Sequence, residues 1–458
     1  MSYTTRRLIG RTLVAVTQSR AGLTLILLFA INLLNFFDRH IITAVVEPIR
    51  KLWGLTDSQI GWLVTAFTLL YAVVGVPLGR LADRWNRPKI LTFGVALWSL
   101  LTAASGMAWN YGSLLLTRLG VGIGEASCAP AANSLIGDLF PVAQRARALS
   151  FFMLGLPIGG FLGTFISGRL AAVYGWRVPF YVACIPGLVV AMLALLITDP
   201  PRGAMEASPY AGRTFEGSPY GHVLRIPTMR WIILSGALHN FNMYVIATFL
   251  PAFLSRYHSL NLKQSSAIAA TVFNAMGLPG LLVGGWAADR LGKKWHNGRL
   301  LVAAVALLLA TPCLYFALLQ PAGALPGFVV LMGAGCVLMY VYYSGVYAAV
   351  QDVVQPSLRG TAMALYFFAM YLLGGSFGPV VTGKLSDYFA RRAMLSAGAH
   401  AINEAFRSSG LHSAMFVIPL CSLILSLVLF AAAHIVISDM LALQRWMRQP
   451  QEQAGAAD

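Results

Sequence analysis

Long apolar runs separated by short polar connections fill the chain from about residue 22 to residue 438. A helix needs ~20 apolar residues to cross the hydrocarbon core of a bilayer, and runs of that size recur throughout. The pattern therefore predicts an all-α membrane protein with twelve transmembrane helices. The predicted spans cover residues 22–46, 58–79, 89–109, 112–136, 146–173, 178–198, 229–255, 265–288, 299–319, 326–350, 359–388 and 411–438.

Three polar segments divide this pattern. The N-terminal residues are polar and basic, a stretch rich in Pro, Gly and Ser follows the sixth run, and the C-terminal residues are polar again. A surface connection of that composition is typical of a linker. The sequence thus predicts an N-terminal segment, a six-helix bundle, a linker, a second six-helix bundle and a tail, over residues 1–21, 22–198, 199–228, 229–439 and 440–458.

A charged motif occurs at the same place in both predicted bundles. It runs from Gly79 to Lys89 after the second span, and from Gly285 to Lys294 after the eighth. Each copy reads Gly, three residues, Asp-Arg and then basic residues. One copy could be a basic loop that fixes membrane topology. Two copies in matching places predict a duplicated bundle.

Composition and charge exclude several classes of protein. Of the 458 residues, 58% are apolar and 11% are charged, against about a quarter charged in soluble proteins. The net charge of +17 is spread over short loops, so no nucleic-acid partner is expected. The five cysteines are scattered singly and form neither a disulfide framework nor a metal cluster. No metal, no cofactor and no cleavable signal peptide are expected, and no enzymatic motif is present.

The distribution of basic residues predicts orientation. With both termini in the cytoplasm, most of the 33 lysines and arginines fall on the cytoplasmic side, as expected for a multi-pass protein of the inner (plasma) membrane.

Twelve spans in two halves, with these two motif loops, resemble the major facilitator superfamily over about residues 22–440. Asn86 departs from the family motif, which usually has Gly there. A narrower similarity is to Spinster transporters, on the stretches Asn35–Arg39, Thr65–Phe67, Val76–Arg84 and Gly122–Ala126. The resemblance implies alternating-access transport of an amphiphilic, anionic lipid-like molecule of the lysophospholipid or sphingosine-phosphate type. The alternative within the superfamily is a carrier of a polar organic anion or a drug.

Four charged residues lie inside predicted spans, where each costs ~2.5–3.5 kcal/mol on insertion scales. They are Asp38, Arg39, Arg118 and Glu125. Counting ~1.5 Å of rise per residue puts Asp38 and Arg39 at a depth between Arg118 and Glu125. We predict that Asp38 senses protons, that Glu125 is its partner in proton coupling and shapes the substrate site, and that the arginines bind an anionic headgroup. The alternative is a set of ion pairs that only fix helix packing.

Weaker candidates complete the prediction. Five polar or aromatic residues are expected to line a cavity between the halves with spans 1, 4, 7 and 10, although aromatic residues at helical spacing more often only pack: Asn35, Asn133, His239, Asn242 and Tyr343. The motif loops are expected to form a cytoplasmic gate, in which Asp83 meets a helix start or a basic partner such as Arg145 or Arg147. The gate residues are Gly79, Asp83, Arg84, Arg145, Gly285, Asp289 and Arg290. The expected partners are a small amphiphilic substrate, protons and the lipid bilayer, with the protein a monomer.

Overall fold

The computed structural model describes residues 3–455, except 203, 206–217 and 356–357. Side chains are described from residue 20 to residue 446, apart from those gaps and positions 83, 142, 143 and 146. Within this part of the chain the regular structure is entirely helical. The first nine helices are α1 (Tyr3–Trp53), α2 (Asp57–Arg84), α3 (Arg87–Gly106), α4 (Tyr111–Glu125), α5 (Cys128–Leu139), α6 (Val142–Met153), α7 (Gly155–Tyr174), α8 (Val178–Ala194) and α9 (Pro219–Arg225).

The described residues after 225 form nine α-helices and two π-helical segments. In order these are α10 (Pro227–Tyr257), α11 (Leu262–Ala269), a π segment (Ala270–Ala275), α12 (Gly277–Lys294), α13 (Gly298–Leu318), α14 (Leu325–Val353), α15 (Arg359–Ala369), a π segment (Met370–Gly375), α16 (Phe377–Ser396), α17 (Glu404–Met415) and α18 (Val417–Gly455).

Ten helices or joined helices in the described part of the chain are long and apolar enough to cross a membrane, and α8 is a shorter apolar helix. The remaining predicted span, 112–136, is divided between α4 and α5. The spans predicted at 146–173, 265–288 and 359–388 are also interrupted, by a break at Leu154 and by the two π segments. Apolar periodicity continues through these interruptions, so the sequence pattern does not reveal them.

Contacts divide the chain into two compact units. The first unit comprises Met1–Ile42 and Leu70–Gly212, and the second comprises Thr43–Leu69 and Arg213–Asp458. In the first unit α3 is central and packs against α4, α5 and α8. In the second unit α13 packs against α14 and α18, while α10 packs against α18 and the π segment Met370–Gly375. The predicted bundle boundaries remain a prediction, but the second unit also includes the end of α1 and the start of α2.

Candidate functional site

The break in the fourth span places Glu125 in the interior of the first unit. A Cβ added at Gly124 would lie 2.9 Å from the backbone nitrogen of Trp98 on α3, so this approach requires glycine. Immediately afterwards α4 ends at Glu125, and α5 starts at Cys128. Ser127 Oγ donates a 2.7 Å hydrogen bond to Gly124 O at the break. Glu125 thus lies fully buried at the carboxyl end of a half-helix.

Glycines on α7 bring that helix against α1 beside Asp38. A Cβ added at Gly163 would lie 2.9 Å from the Cα atom of Phe37. The close contact leaves no space for a side chain at Gly163. It fixes the part of α1 that carries Asp38 and Arg39, both of which are buried.

Arg39 and Glu125 form a buried ion pair, with 2.6 Å between Arg39 Nε and Glu125 Oε2. The Arg39 guanidinium carbon also lies 4.9 Å from the ring centre of Phe36 and 4.3 Å from that of Tyr71. Contacts of this kind stabilise a cation through the ring quadrupole. Arg39 is therefore held by a carboxylate and by two aromatic faces.

Asp38 is bonded more weakly than Glu125. Its Oδ2 accepts a 3.3 Å hydrogen bond from Thr102 Oγ1. Its Oδ1 is buried and accepts no hydrogen bond from any described residue. Arg118 is also buried and interacts electrostatically with Asp38 and Glu125. We call Asp38, Arg39, Arg118 and Glu125 the Asp38 cluster; its four formal charges cancel when both carboxylates are ionised.

The other predicted binding residues have different surroundings. Asn35 is buried next to the Glu125 carboxylate, whereas Asn133 is exposed on α5. The Asn242 amide nitrogen donates to Ile418 O and to Ser422 Oγ, at 3.1 and 2.9 Å, which ties α10 to α18. The Asn242 nitrogen thus already has two partners within the second unit.

An aromatic cluster surrounds His239 in the second unit. The imidazole stacks on Tyr342 with 4.0 Å between ring centres, and it meets Tyr343 edge to face at 4.8 Å. Tyr343 in turn lies 5.5 Å from Tyr347, and Tyr347 lies 5.7 Å from Tyr366. The Tyr342 hydroxyl is within hydrogen-bonding distance of the Ser235 and Tyr366 hydroxyls, at 2.9 and 3.0 Å. We call His239, Tyr342, Tyr343, Tyr347 and Tyr366 the aromatic cluster.

A second charge network, buried except for Glu404, joins the end of α1 and the start of α2 to α10 and α17, all within the second unit. Arg256 donates two 2.9 Å hydrogen bonds to the Asp57 carboxylate and a third, also 2.9 Å, to Glu47. Arg50 bonds Glu47 at 2.6 Å and Glu404 at 2.7 Å. We call these five residues the Arg256 network. Sequence reasoning missed it, because each member lies near the end of a span, where a single charge is ordinarily explained by topology.

Comparison with known proteins agrees with this architecture. The model of the Major Facilitator Superfamily matches residues 28–379. Protein spinster homolog 3 of Mus musculus is 32% identical over 387 residues, covering 80% of this chain and 75% of the relative. An MFS-type efflux pump of Mycolicibacterium smegmatis is 29% identical over 387 residues, covering 84% of this chain and 88% of the relative. A crystal structure described as a bacterial homolog of the human lysosomal transporter Spinster, inward-facing and unoccupied, matches with a TM-score of 0.81 and 27% identity, covering 92% of this chain and 98% of that one.

The chain belongs to the Spinster branch of the major facilitator superfamily. The predicted fold class is confirmed: an all-α membrane protein of twelve transmembrane helices in two six-helix bundles. It is a multi-pass membrane transporter, and its family is not one of enzymes.

A buried arginine anchors the end of the first motif loop, at the point where α3 begins. Arg87 begins α3, is fully buried, and pairs with Asp138 and, at 2.7 Å, with Asp199. Asn86 accepts a 3.0 Å hydrogen bond from the Lys89 backbone, so it caps α3 where the family usually has Gly. Arg202 donates two 2.7 Å bonds to backbone carbonyls of the loop, at Ala82 and Trp85.

The second loop has a simpler version of the same arrangement. Arg299 at the start of α13 pairs with Asp352 at 2.5 Å. Asp289 and Arg290 are exposed, and the Arg290 guanidinium lies 5.7 Å from the Trp286 ring centre. Neither exposed residue has an ion-pair partner within the described part of the chain.

The predicted gate residues of the two motif loops have few close neighbours among the described residues. A Cβ added at Gly79 would lie 3.9 Å from Pro130, whereas one added at Gly285 of the second loop would lie 4.0 Å from Ser344. Arg84 is exposed, and Arg145 donates a 2.6 Å hydrogen bond to Gly137 O. The predicted contact of Asp83 with Arg145 or Arg147 involves a side chain outside the described residues.

Proposed function

We propose that this transporter moves an amphiphilic, anionic, lipid-like molecule of the lysophospholipid or sphingosine-phosphate type by alternating access, driven by protons. The observation that carries the proposal is the Asp38 cluster, with two arginines and two carboxylates buried inside membrane helices. Ionisable groups at such depth are usually functional. Asn35 beside Glu125 and exposed Asn133 remain candidate contacts for the substrate, as do His239, Asn242 and Tyr343 in the second unit.

Proton coupling follows from the unequal bonding of the two carboxylates. Glu125 is neutralised by Arg39, whereas Asp38 has one long hydrogen bond and an oxygen with no hydrogen-bond partner among the described residues. Asp38 can therefore take up a proton without breaking an ion pair. Protonation leaves the cluster with net positive charge, because guanidinium groups stay charged, and this favours an anionic headgroup near Arg118. Binding and protonation are then linked by a reciprocal coupling free energy, typically ~1–3 kcal/mol.

We place both termini and both motif loops in the cytoplasm of a monomer in the inner (plasma) membrane, following the bias of basic residues. On this assignment the Arg256 network lies at the outer side. It ties α1 and α2 to α10 and α17 in a state closed to the outside, and it must separate when the outside opens. The motif loops, with Asp83, Arg84, Asp289 and Arg290, hold the opposite side closed in the other half of the cycle.

A second candidate function is the export of a drug or a polar organic anion. The observation that favours it is the similarity to a relative named as an MFS-type efflux pump. A compact charged cluster could also bind a small anion without a lipid tail.

Uptake into proteoliposomes tests both candidates. The purified full-length protein is reconstituted with and without an inward-directed proton gradient, and lysophospholipids, sphingosine phosphate and short organic anions are offered in parallel. Faster accumulation of a lipid under the gradient is the expected result. Uptake of short anions alone would favour the second candidate. An uptake rate that is the same with and without the proton gradient would contradict proton coupling.

A further inference from the structure

The helical stretches that carry the aromatic cluster contain no fixed charge. Between Arg230 and Arg256 the helix α10 contains no Lys, Arg, Asp or Glu, and α14 contains none before Asp352. The stretch from Gly360 to Gly383 also contains none. The groups on these stretches that could recognise a ligand are therefore neutral.

Two tyrosines of the cluster keep part of their surface accessible. Tyr343 and Tyr347 are half-buried, whereas Tyr342 and Tyr366 behind them are fully buried. The buried pair is fixed by its hydroxyl contact of 3.0 Å. This arrangement presents the accessible rings on a rigid aromatic support.

His239 has the properties of a ligand contact within this group. It is fully buried, and neither of its ring nitrogens forms a hydrogen bond with any described residue. A buried polar atom left without a partner typically costs about 1–3 kcal/mol. The stacking on Tyr342 fixes the orientation of the His239 ring. Its two nitrogens stay available to accept a hydrogen bond or to donate one.

The helix formed by α15 and α16, which neighbours α10, is interrupted by a π segment. A π segment covers Met370–Gly375, and the Asn240 amide donates a 3.1 Å hydrogen bond to Met370 O. Tyr371, in the same segment, meets Tyr244 edge to face at 6.4 Å. Single π turns inside α-helices are frequent at functional sites, and this one adds one further aromatic side chain, that of Tyr371, beside α10.

We propose that the aromatic cluster is a subsite for the ammonium group of the substrate. Aromatic faces attract an ammonium ion most strongly when it is desolvated, and aromatic cages recognise quaternary ammonium ligands in this way. The absence of carboxylates in these stretches argues against an inorganic cation, which needs several oxygen ligands. Tyr343 and Tyr347 provide the ring faces, and His239 accepts a hydrogen bond when the ammonium carries N–H groups. This inference rests on the proposed transport of an amphiphile and specifies its headgroup.

The test measures binding to the full-length protein in detergent with three lysophospholipids of the same acyl chain. One has a trimethylammonium headgroup, one has a primary ammonium headgroup, and one has a bare phosphate. Tyr343→Leu is expected to weaken binding of both ammonium lipids about tenfold and to leave the bare-phosphate lipid unchanged. Tyr343→Phe, which keeps the ring, should bind all three like the wild type. Tyr388→Leu removes an exposed tyrosine of α16 and serves as the matched control.

His239→Phe keeps a ring against Tyr342 but removes both ring nitrogens, so it tests the site even if Tyr343→Leu fails to fold. It should weaken the primary ammonium lipid more than the trimethylammonium lipid. Wild-type protein that binds all three lipids equally would overturn the ammonium subsite and leave lipid transport standing. The subsite is also overturned if no cluster variant separates ammonium lipids from the bare-phosphate lipid. Wild-type protein that binds none of the three would contradict the proposed function itself.

Discussion

The Arg256 network and the Asp38 cluster both bury arginines against carboxylates, but they are bonded differently. Every carboxylate of the Arg256 network contacts an arginine at 2.9 Å or less, and Asp57 also accepts a 2.6 Å bond from Ser386. In the Asp38 cluster Glu125 is paired at 2.6 Å, whereas Asp38 accepts a hydrogen bond only from Thr102, at 3.3 Å, among the described residues.

The difference separates buried charges that satisfy one another from buried charges that do not. A network in which the charges satisfy one another fixes helices, and removing one partner leaves an uncompensated charge. A partly satisfied cluster keeps its members at high energy and open to a proton or a ligand. The Arg256 network should therefore dominate stability, and the Asp38 cluster should dominate the response to pH and substrate.

The largest effect is expected for Arg256→Ala. It removes the arginine partner of buried Asp57 and leaves Glu47 with Arg50 alone, and breaking such a buried pair typically costs about 3–5 kcal/mol. Thermal unfolding in detergent should show a marked fall in melting temperature. Arg407→Ala is the control, because among the described residues Arg407 donates a single 3.3 Å hydrogen bond, to Leu55 O. Equal melting temperatures for the two variants would contradict the dominant role of the Arg256 network in stability.

Arg87→Ala should come next, since this arginine is also fully buried and paired with two aspartates. We expect a loss of about 3 kcal/mol by the same argument. The corresponding Arg299 has about a third of its side chain exposed and pairs with one aspartate, so Arg299→Ala should cost about 1 kcal/mol or less. Denaturation of both variants under identical conditions measures the difference. A greater loss for Arg299→Ala would show that full pairing does not predict stability in this protein.

Arg118→Ala should have a smaller effect on stability, because Asp38 can compensate by binding a proton. Its expected effect is on affinity: the anionic headgroup loses its main cation, and binding should weaken about tenfold at acidic and at alkaline pH alike, as for the loss of a charged hydrogen bond. Equilibrium binding of a lysophospholipid measures this. A loss confined to one end of the pH range would assign Arg118 to proton sensing rather than to the substrate.

The sequence predicts the Asp38 cluster better than the Arg256 network. Asp38 and Glu125 stand out because charge deep in an apolar run is rare, but the pairing of Glu125 with Arg39 depends on how α4 breaks beside α1, which spacing does not encode. The Arg256 network joins residues up to 357 positions apart in sequence, from Glu47 to Glu404, near span ends where charge is common. Asn86, a departure from the family motif, is explained only by its capping bond to Lys89.

The pH dependence of transport by Asp38→Asn is the most direct test of whether Asp38 is the proton-sensing group. Proteoliposomes containing wild-type or variant protein are assayed for lysophospholipid uptake across a series of pH values, with binding measured on the same preparations. Wild-type uptake is expected to vary with pH as Asp38 gains or loses its proton. Asp38→Asn should instead transport at a rate that no longer depends on pH, while it still binds substrate. If Asp38→Asn keeps the wild-type pH profile, Asp38 is not the proton-sensing group and the account is contradicted.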